Sequence, residues 1–282
     1  MRAHEGDAEP LLREFAAAAD READGGKGAR WSFRRDLGRV RLLVIDSRCG
    51  RILADGARSM VSEDEFAWVV EQTAGDYDHL LIGTSLPWLL PRALHDLEAW
   101  NEALADGRRG PRRARWSEKL RRAADLEHWA AFRKSFERLT DLLGAVGRGE
   151  HAAGAAPATV CVLSGDVHHA YAAEAHYPEP VDARIFQLTC SPLNNFVPPA
   201  MRVTFRVTWG RVAEFVVRRL LRLVGPVPAP PITWRRVCGP YFGNEIASLV
   251  LDGRRAELRL ERSAEREKPA ELVQVARVTL AP

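Results

Sequence analysis

The chain has 282 residues, of which 46% are apolar, and this is enough to bury the core of one large domain or two modest ones. This composition excludes a disordered or fibrous protein, and a formal net charge of +3 gives no whole-molecule argument for binding nucleic acid or membranes. Four scattered cysteines without a CxxC pair, and no apolar run near about 18 residues, predict a cytoplasmic protein without a signal peptide or transmembrane segment.

The first elements follow a charged, alanine-rich lead-in over residues 1–30, which we predict to be partly disordered with one short helix in LLREFAAAAD. The compact apolar run at 39–46 is typical of a strand in a sheet that is buried on both faces. Ser62 and Glu65 form a capping box followed by apolar residues at helical spacing, so we predict a helix over 63–75.

The middle of the chain continues the alternation of strands and helices. Buried strands are predicted at 79–85 and 158–164 from short, uninterrupted apolar runs. Between them, from 117 to 146, apolar residues recur every three or four positions. This spacing predicts one long amphipathic helix, whose aromatic residues Trp129, Phe132 and Phe136 are expected in the core. The order of these elements predicts an α/β layered domain.

The C-terminal part is predicted to be mainly strands. Val203, Phe205, Val207 and Trp209 alternate with polar residues, which is the period of a strand. The segment 211–224 then becomes helical, and its apolar side is expected to pack on the sheet. LDGRR is a predicted hairpin turn. Further strands are predicted at 170–175, 184–190, 245–251, 257–261 and 272–280.

Asp166 and His168 follow the third buried strand, in VCVLSGDVHHAY. The two residues are two positions apart at the carboxyl end of a strand. Their side chains are therefore expected to point the same way, into the crevice where open α/β sheets bind ligands. A carboxylate and a neutral imidazole suit a divalent or trivalent cation, and Gly165 allows close approach of the backbone. The alternative is a turn in which Asp166 caps backbone amides and the histidines are partly buried hydrogen-bonding groups.

Two other polar clusters also follow strands. Asp46 and Arg48, in DSRCGR, lie after the first strand, where the alternative to a site is that Asp46 caps the loop and Arg48 pairs with it. HDLEAWNE brings together His95, Asp96 and Glu98 after the second strand. Such a cluster is most often the solvated start of a helix, and we expect that here.

Two basic stretches raise the question of an anionic partner. Residues 108–122 hold eight basic residues against one acid, and 211–224 is basic and amphipathic. We interpret the first as a solvated loop and the second as a helix packed on the sheet. The sequence therefore predicts no specific binding of nucleic acid or membranes.

Four blocks of the chain, in this order, resemble the alkaline phosphatase D (PhoD-like) metallophosphatase family: RWSFRRDLGRVRLLVIDSRCGR, DHLLIGTSLPW, EHWAAFRKSFERL and LSGDVHHAY. The later segments TCSPLNNFVPP and YFGNEIASLVLDGRRAELRLE resemble the C-terminal part of actinobacterial-type members. The resemblance covers roughly residues 30 to 262, and four blocks in one order are more specific than any single block.

The resemblance implies a metallophosphatase-type two-sheet sandwich flanked by helices, in an αββα order. It also implies a metal-dependent phosphoesterase that hydrolyses phosphomonoesters or phosphodiesters by metal-activated water. A binuclear centre is expected, of iron and calcium or of other divalent cations. By motif matching, Asp166 and His168 fall on metal-binding positions, His169 beside the phosphate, and Arg48 at the periphery of the site.

The chain departs from the family pattern before its first block. Family members carry further metal ligands there, in blocks of the type GDxxY and DDHExxN, and this sequence has neither. We therefore expect residues 31–282 to be the C-terminal part of a metallophosphatase domain that is incomplete at its N-terminus. The alternative function is an inactive remnant, or a subunit that docks on a partner supplying the complementing N-terminal half. An unpaired sheet edge would then make the chain marginally stable or prone to aggregation.

Overall fold

The computed structural model describes residues 6–23, 30–53, 58–105, 110–191, 193, 197–263 and 271–282. The helices in this part of the chain are α1 (Glu9–Ala23), α2 (Glu63–Gln72), α3 (Arg92–Ala105), α4 (Pro111–Ala123), α5 (Arg133–Gly147), α6 (Pro199–Thr208) and α7 (Arg211–Val224). The strands are β1 (Phe33–Leu37), β2 (Val40–Val44), β3 (His79–Gly83), β4 (Thr159–Ser164), β5 (Ala170–His176), β6 (Arg184–Thr189), β7 (Thr233–Tyr241), β8 (Glu245–Asp252), β9 (Arg255–Ser263) and β10 (Leu272–Ala281).

Seven strands form one mixed sheet in the order β1-β2-β3-β4-β6-β5-β7. Its centre, β2, β3, β4 and β6, is parallel, whereas β1, β5 and β7 run antiparallel to their neighbours. The central strands are the predicted apolar runs, and Leu80, Ile82 and Val162 within them are fully buried. Because parallel strands end at the same edge, the loops after β2, β3 and β4 meet there.

A smaller antiparallel sheet, ordered β10-β9-β8, packs against one face of the large sheet. Along β9, Leu258 and Leu260 point inward onto Cys161 and Phe186 of the large sheet, while Glu257 lies on the other side and pairs with Arg259 and Arg277. The predicted hairpin joins β8 to β9, where Gly253 has a φ of 55°. A mixed α/β fold with two packed sheets is therefore present, as expected.

Helices cover the other face of the large sheet. Phe136, Leu139 and Leu143 of α5 pack into the same core as Trp88 and the sheet residues. Trp129 and Phe132 are also fully buried, so the prediction that the aromatic face of EHWAAFRKSFERL is core is confirmed. One half of the predicted capping box is confirmed at the start of α2. The backbone amide of Glu65 donates a hydrogen bond of 3.2 Å to Ser62 Oγ.

The prediction of one long helix over 117–146 is wrong. The segment forms two helices, α4 and α5, separated by a turn and a single 3-10 turn at Trp129–Ala131. Asp125 has a φ of 52°, in the left-handed region, and this ends α4. The basic stretch predicted as a solvated loop is also helical over 111–122, although most of its described side chains are exposed.

The prediction of a strand at 203–209 is wrong too, because these residues lie in α6 and at its C-terminal end. Two apolar sets, each spaced by four residues, alternate along the chain and imitate a strand. Val203 and Val207 face outward, whereas Phe205 and Trp209 are half-buried. The expected packing of the apolar side of α7 on the sheet is likewise not observed, since α7 lies along α3 and has no fully buried residue.

In the predicted lead-in, 1–30, the structure describes residues 6–23 and 30. Residues 9–23 form α1. The ring of Phe15 in this helix contacts the ring of Trp31, with 5.1 Å between the centroids. The remaining residues of the predicted lead-in, 1–5 and 24–29, lie outside the described residues, and so does most of its predicted disorder. Within the described part of the chain, no helix is long and apolar enough to cross a membrane.

Candidate functional site

An open cleft of about 640 Å³ lies at the carboxyl edge of β2, β3 and β4. Each strand is followed there by polar residues, because the apolar run that makes it a buried strand ends where the chain leaves the core. The cleft is lined by Trp31, Val44, Ile45, Asp46, Ser47, Arg48, Gly83, Thr84, Ser85, Leu163, Ser164, Gly165 and Cys190.

Asp46 organises the first of these loops. Its Oδ1 accepts hydrogen bonds from the backbone amides of Arg48, at 3.0 Å, and Cys49, at 2.9 Å. The reading of Asp46 as a loop cap is therefore confirmed. The guanidinium of Arg48 does not pair with Asp46 as that reading expected: its Nη1 lies 3.0 Å from Glu127 Oε1 and 3.2 Å from Asp166 Oδ2.

A cluster of hydroxyls forms the floor of the cleft. Ser47 Oγ lies 2.8 Å from Thr84 Oγ1 and 2.8 Å from Ser85 Oγ. The Ser85 amide donates to Ser47 Oγ at 3.1 Å, and the Trp129 indole donates to Thr84 Oγ1 at 3.1 Å. Since every hydroxyl both donates and accepts, this cluster can turn donors toward an anion in the cleft.

Asp166 and His168, the two predicted metal ligands, lie in the turn after β4 and are both exposed. Each has a φ of 58°, a left-handed conformation that costs a non-glycine residue free energy. A Cβ at Gly165 would meet its nearest neighbour, the Cys190 carbonyl oxygen, at 3.7 Å, so packing does not require glycine there. Two strained residues in one turn at a strand end are typical of functional sites.

His169, predicted to sit beside a phosphate, is only 2% exposed. Its ring stacks on Phe205 of α6 at 4.6 Å and on Tyr171 at 5.2 Å, and its Nδ1 lies 2.6 Å from the Val167 carbonyl oxygen. Burial lowers the pKa of His169 to about 4, and the neighbouring His168 and His128 act in the same direction. The ring is therefore neutral at pH 7, and its buried Nε2 has no hydrogen-bond partner.

His128 is a candidate that the sequence did not single out. Its Nδ1 lies 2.6 Å from Glu98 Oε1, and its Nε2 is buried without a partner. Burial alone would lower the pKa of His128, but Glu98, Glu127 and Asp166 together raise it above its ordinary value. A carboxylate on one ring nitrogen and a free second nitrogen is the arrangement of histidines that bind metals or transfer protons.

The cluster His95, Asp96 and Glu98 was expected at a solvated helix start, and this expectation is wrong. All three are buried in α3, at 3%, 0% and 2% exposure. Arg218 of α7 pairs with Asp96 at 2.7 Å, and His128 pairs with Glu98, so the partners that make burial tolerable come from distant segments. Burial raises the pKa of Asp96 against the opposing effect of Arg218.

The described residues do not fit a complete binuclear centre. No group of three or more histidine, cysteine, aspartate or glutamate side chains able to hold a metal ion is found among them. Asp166 and His168 are two donors where two metals need many more, and Arg48 now contacts the Asp166 carboxylate.

The structure thus brings Arg48 and Asp166 together and puts His169 beneath the surface, within an aromatic cluster. Residues that the sequence analysis left out are the cleft hydroxyls, Glu127 and His128. The hydroxyls had a signal, because Ser47 directly follows one predicted buried strand and Ser85 is the last residue of another. For Glu127 and His128 the only sequence signal was their position directly before Trp129, a core residue.

Comparison of the chain with protein-family models, with curated proteins and with solved structures finds no match.

Proposed function

We propose that the chain is a phosphoesterase whose cleft at the carboxyl ends of β2, β3 and β4 binds the phosphoryl group of a phosphomonoester or phosphodiester. Asp166 and His168 are assigned to the metal centre that the family resemblance implies, of iron and calcium or other divalent cations. The observation that carries the proposal is the contact of Arg48 with Asp166 at the mouth of a cleft floored by hydroxyls.

Arg48 is proposed to hold the phosphoryl oxygens. A guanidinium presents a planar fork of donors that matches phosphate, and it keeps its charge at any physiological pH. Its present partners, Glu127 and Asp166, hold it over the cleft, and its half-exposed side chain is open to an incoming anion. Ser47 and Ser85 add neutral donors next to it.

His169 is proposed to accept a proton in the site. With Nδ1 donating to the Val167 carbonyl, the neutral ring presents Nε2 as an acceptor. The ring is unprotonated at pH 7, as a general base must be, although a pKa of about 4 makes it a weak one.

The second candidate is a subunit whose site is completed by a partner polypeptide, and the alternative of an inactive remnant belongs to the same class. The absence of a three-donor group among the described residues favours this candidate. In that case the chain would bind phosphate through Arg48 but would neither retain metal nor hydrolyse esters alone.

The test combines three measurements on the purified chain: metal content, hydrolysis of bis(p-nitrophenyl) phosphate, and calorimetric titration with inorganic phosphate. The phosphoesterase proposal expects stoichiometric metal and turnover, both lost in Asp166→Ala and His168→Ala. Arg48→Ala is expected to weaken phosphate binding. His169→Phe keeps an aromatic ring in the stack, and we expect it to fold but to lose hydrolysis.

Matched controls are Asp182→Ala and His176→Ala, because both parent side chains are exposed and lie outside the cleft. Phosphate binding that depends on Arg48, without metal or turnover, would support the partner-completed site. A chain that binds neither phosphate nor metal and has no turnover would overturn the phosphoesterase and the partner-completed site, and would leave the inactive remnant.

A further inference from the structure

Helix α7 presents its apolar side to solvent. Val212, Val216, Leu220 and Leu223 recur at helical spacing and are 77%, 45%, 57% and 80% exposed. The opposite side, which faces α3, carries charged residues and Leu221. This is the reverse of the arrangement expected for a helix that packs on a protein core.

Two ion pairs hold the helix in this orientation. Arg218 contacts Asp96 of α3 at 2.7 Å, and Glu214 contacts Arg92 at 3.1 Å. Asp96 is completely buried, so rotating α7 to bury its apolar side would leave this carboxylate without its cation. The exposed apolar side is therefore fixed by specific contacts.

The apolar surface extends beyond α7 on both sides. Toward α6, a groove is lined by Val207, Val212 and Val216, and Met201 and Val203 of α6 are also exposed. Toward α4, a second groove joins Leu223 and Val224 to Trp116, which is 52% exposed. We call this continuous area, formed by the outer sides of α6, α7 and the start of α4, the apolar face.

The rim of the apolar face is basic. Arg211, Arg219 and Arg222 of α7 and Arg112 and Arg113 of α4 are exposed around it. Among the residues that the structure describes, no carboxylate pairs with Arg211, Arg219 or Arg222. The acids within these helices are already engaged: Glu214 with Arg92, and Glu118 of α4 with Arg121 and Arg122.

The positive charge on the rim indicates which kind of partner the apolar face can bind. Aliphatic side chains flanked by arginines, with a tryptophan at one end, are the composition of a helix that lies in the interface of an anionic bilayer. A second copy docked face to face would bring the same arginines together, which like-charge repulsion disfavours. A lipid surface with negative headgroups satisfies both the apolar side and the rim.

We propose that the apolar face docks the protein on anionic lipid membranes, with α7 lying in the plane of the headgroups. Val212, Val216, Leu220 and Leu223 enter the acyl boundary, and Arg211, Arg219 and Arg222 contact lipid phosphates. This proposal departs from the sequence-based expectation of no membrane binding, which depended on the apolar side of α7 packing on the sheet. It does not rest on the proposed phosphoesterase activity.

The test is co-flotation of the full chain with vesicles of neutral phosphatidylcholine, alone or with phosphatidylglycerol at three parts in ten. Binding is expected to the anionic vesicles and to weaken as salt is raised. The double variant Leu220→Ser/Leu223→Ser should bind at least tenfold more weakly, since two exposed leucines lose their burial in lipid. Arg219→Glu/Arg222→Glu should also lower binding at least tenfold.

Each control carries a single substitution of the same kind at an exposed position outside the apolar face. Leu272→Ser changes a leucine that is 53% exposed in β10, and Arg255→Glu changes an exposed arginine in the β8–β9 hairpin. Both should bind vesicles like the parent protein. All the changed side chains are exposed, and melting curves that match the parent's would show that each variant is folded.

An environment-sensitive label on Val216→Cys, in a Cys49→Ser background, gives a second readout, because Cys49 is an exposed thiol. A blue shift with anionic vesicles supports insertion of this face. No vesicle binding, or binding unchanged in Leu220→Ser/Leu223→Ser, overturns the proposal. Self-association that is lost in the same variant, without vesicle binding, would assign the face to a second copy and overturn it as well.

Discussion

The guanidinium of Arg48 lies 3.2 Å from the carboxylate of Asp166. These residues follow different strands, β2 and β4, and were predicted as the periphery of a site and as a metal ligand. Both side chains are about half exposed, so water screens the pair and a stronger partner can separate it. The guanidinium of Arg48 would therefore compete with any metal ion for the carboxylate of Asp166.

Removing Arg48 should strengthen metal binding at Asp166. We expect Arg48→Ala to bind Mn²⁺ up to about fivefold more tightly, because an exposed ion pair is worth at most about 1 kcal/mol. Isothermal titration of the metal-free chain measures this change. Arg51→Ala is the control, since Arg51 contacts Glu127 but not Asp166. An affinity that is unchanged or lower in Arg48→Ala would contradict the competition.

The His128–Glu98 pair should make stability depend on pH. The pKa of His128 is raised in the folded protein, so the pair contributes full stability below about 6.5, the ordinary histidine value. This contribution is lost as the pH rises through the folded-state pKa. Denaturant unfolding of the parent between pH 6 and 9 should therefore show falling stability, and the fall should be smaller in His128→Gln. His176→Gln, at an exposed position, should keep the parent's slope.

Glu245, at the start of β8, should destabilise the protein at neutral pH. It is 3% exposed, and neither carboxylate oxygen makes a hydrogen bond of normal geometry. Burial raises the pKa of Glu245 to about 7, while Arg262 and the nearby Ala170 amide only partly oppose this effect. A raised pKa means that stability is present below the unfolded value of 4.5 and is lost as the pH rises through about 7.

Glu245→Gln should therefore leave the melting temperature unchanged at pH 4.5 and raise it at pH 8. The expected gain in the free energy of unfolding is at most about 3 kcal/mol, from about 1.4 kcal/mol per pKa unit. Glu261→Gln, on the outer side of β9, is the control. A loss of stability at pH 8 would mean that the ionised carboxylate has a partner after all.

Strand β1 is the edge of the large sheet, and its side chains are exposed. Charged residues on an edge oppose pairing with another chain, and Arg35 occupies the middle of FRRDL. We expect Arg35→Val to increase light scattering on mild heating, whereas Arg35→Lys, which keeps the charge, should not. A sharp, reversible melt of the monomeric parent would count against the sequence-based prediction of a marginally stable or aggregation-prone chain.

The central strands were predictable because each is a short apolar run buried on both faces, as Leu80 and Ile82 in β3 illustrate. Helix α6 was not predictable, because an alternation of apolar and polar residues is taken to indicate a strand with one buried face. Here Val203 and Val207 point to solvent, and Phe205 and Trp209 point inward. A pattern cannot reveal that an apolar side is exposed, so the orientation of α7 was missed for the same reason.

The meeting of Arg48 and Asp166 was predictable, because each follows a strand of the parallel part of the sheet and such strands end at the same edge. Burial of Asp96 and Glu98 was not, since it depends on Arg218, 122 residues from Asp96, and on His128, 30 residues from Glu98. Such partners are brought together only by the folded chain. A charged cluster on its own is correctly expected to be solvated.

The stacking of Phe205 on His169 links the apolar face to one of the predicted site residues. Phe205 belongs to α6, whose outer side contributes to the apolar face, while its inner side covers the imidazole of His169. A shift of α6 therefore changes the packing, and with it the desolvation, that keeps this imidazole neutral. If lipid on the apolar face shifted α6, thermodynamic linkage would require a ligand that reorders the ring to change lipid affinity by the same factor by which lipid changes the ligand's affinity.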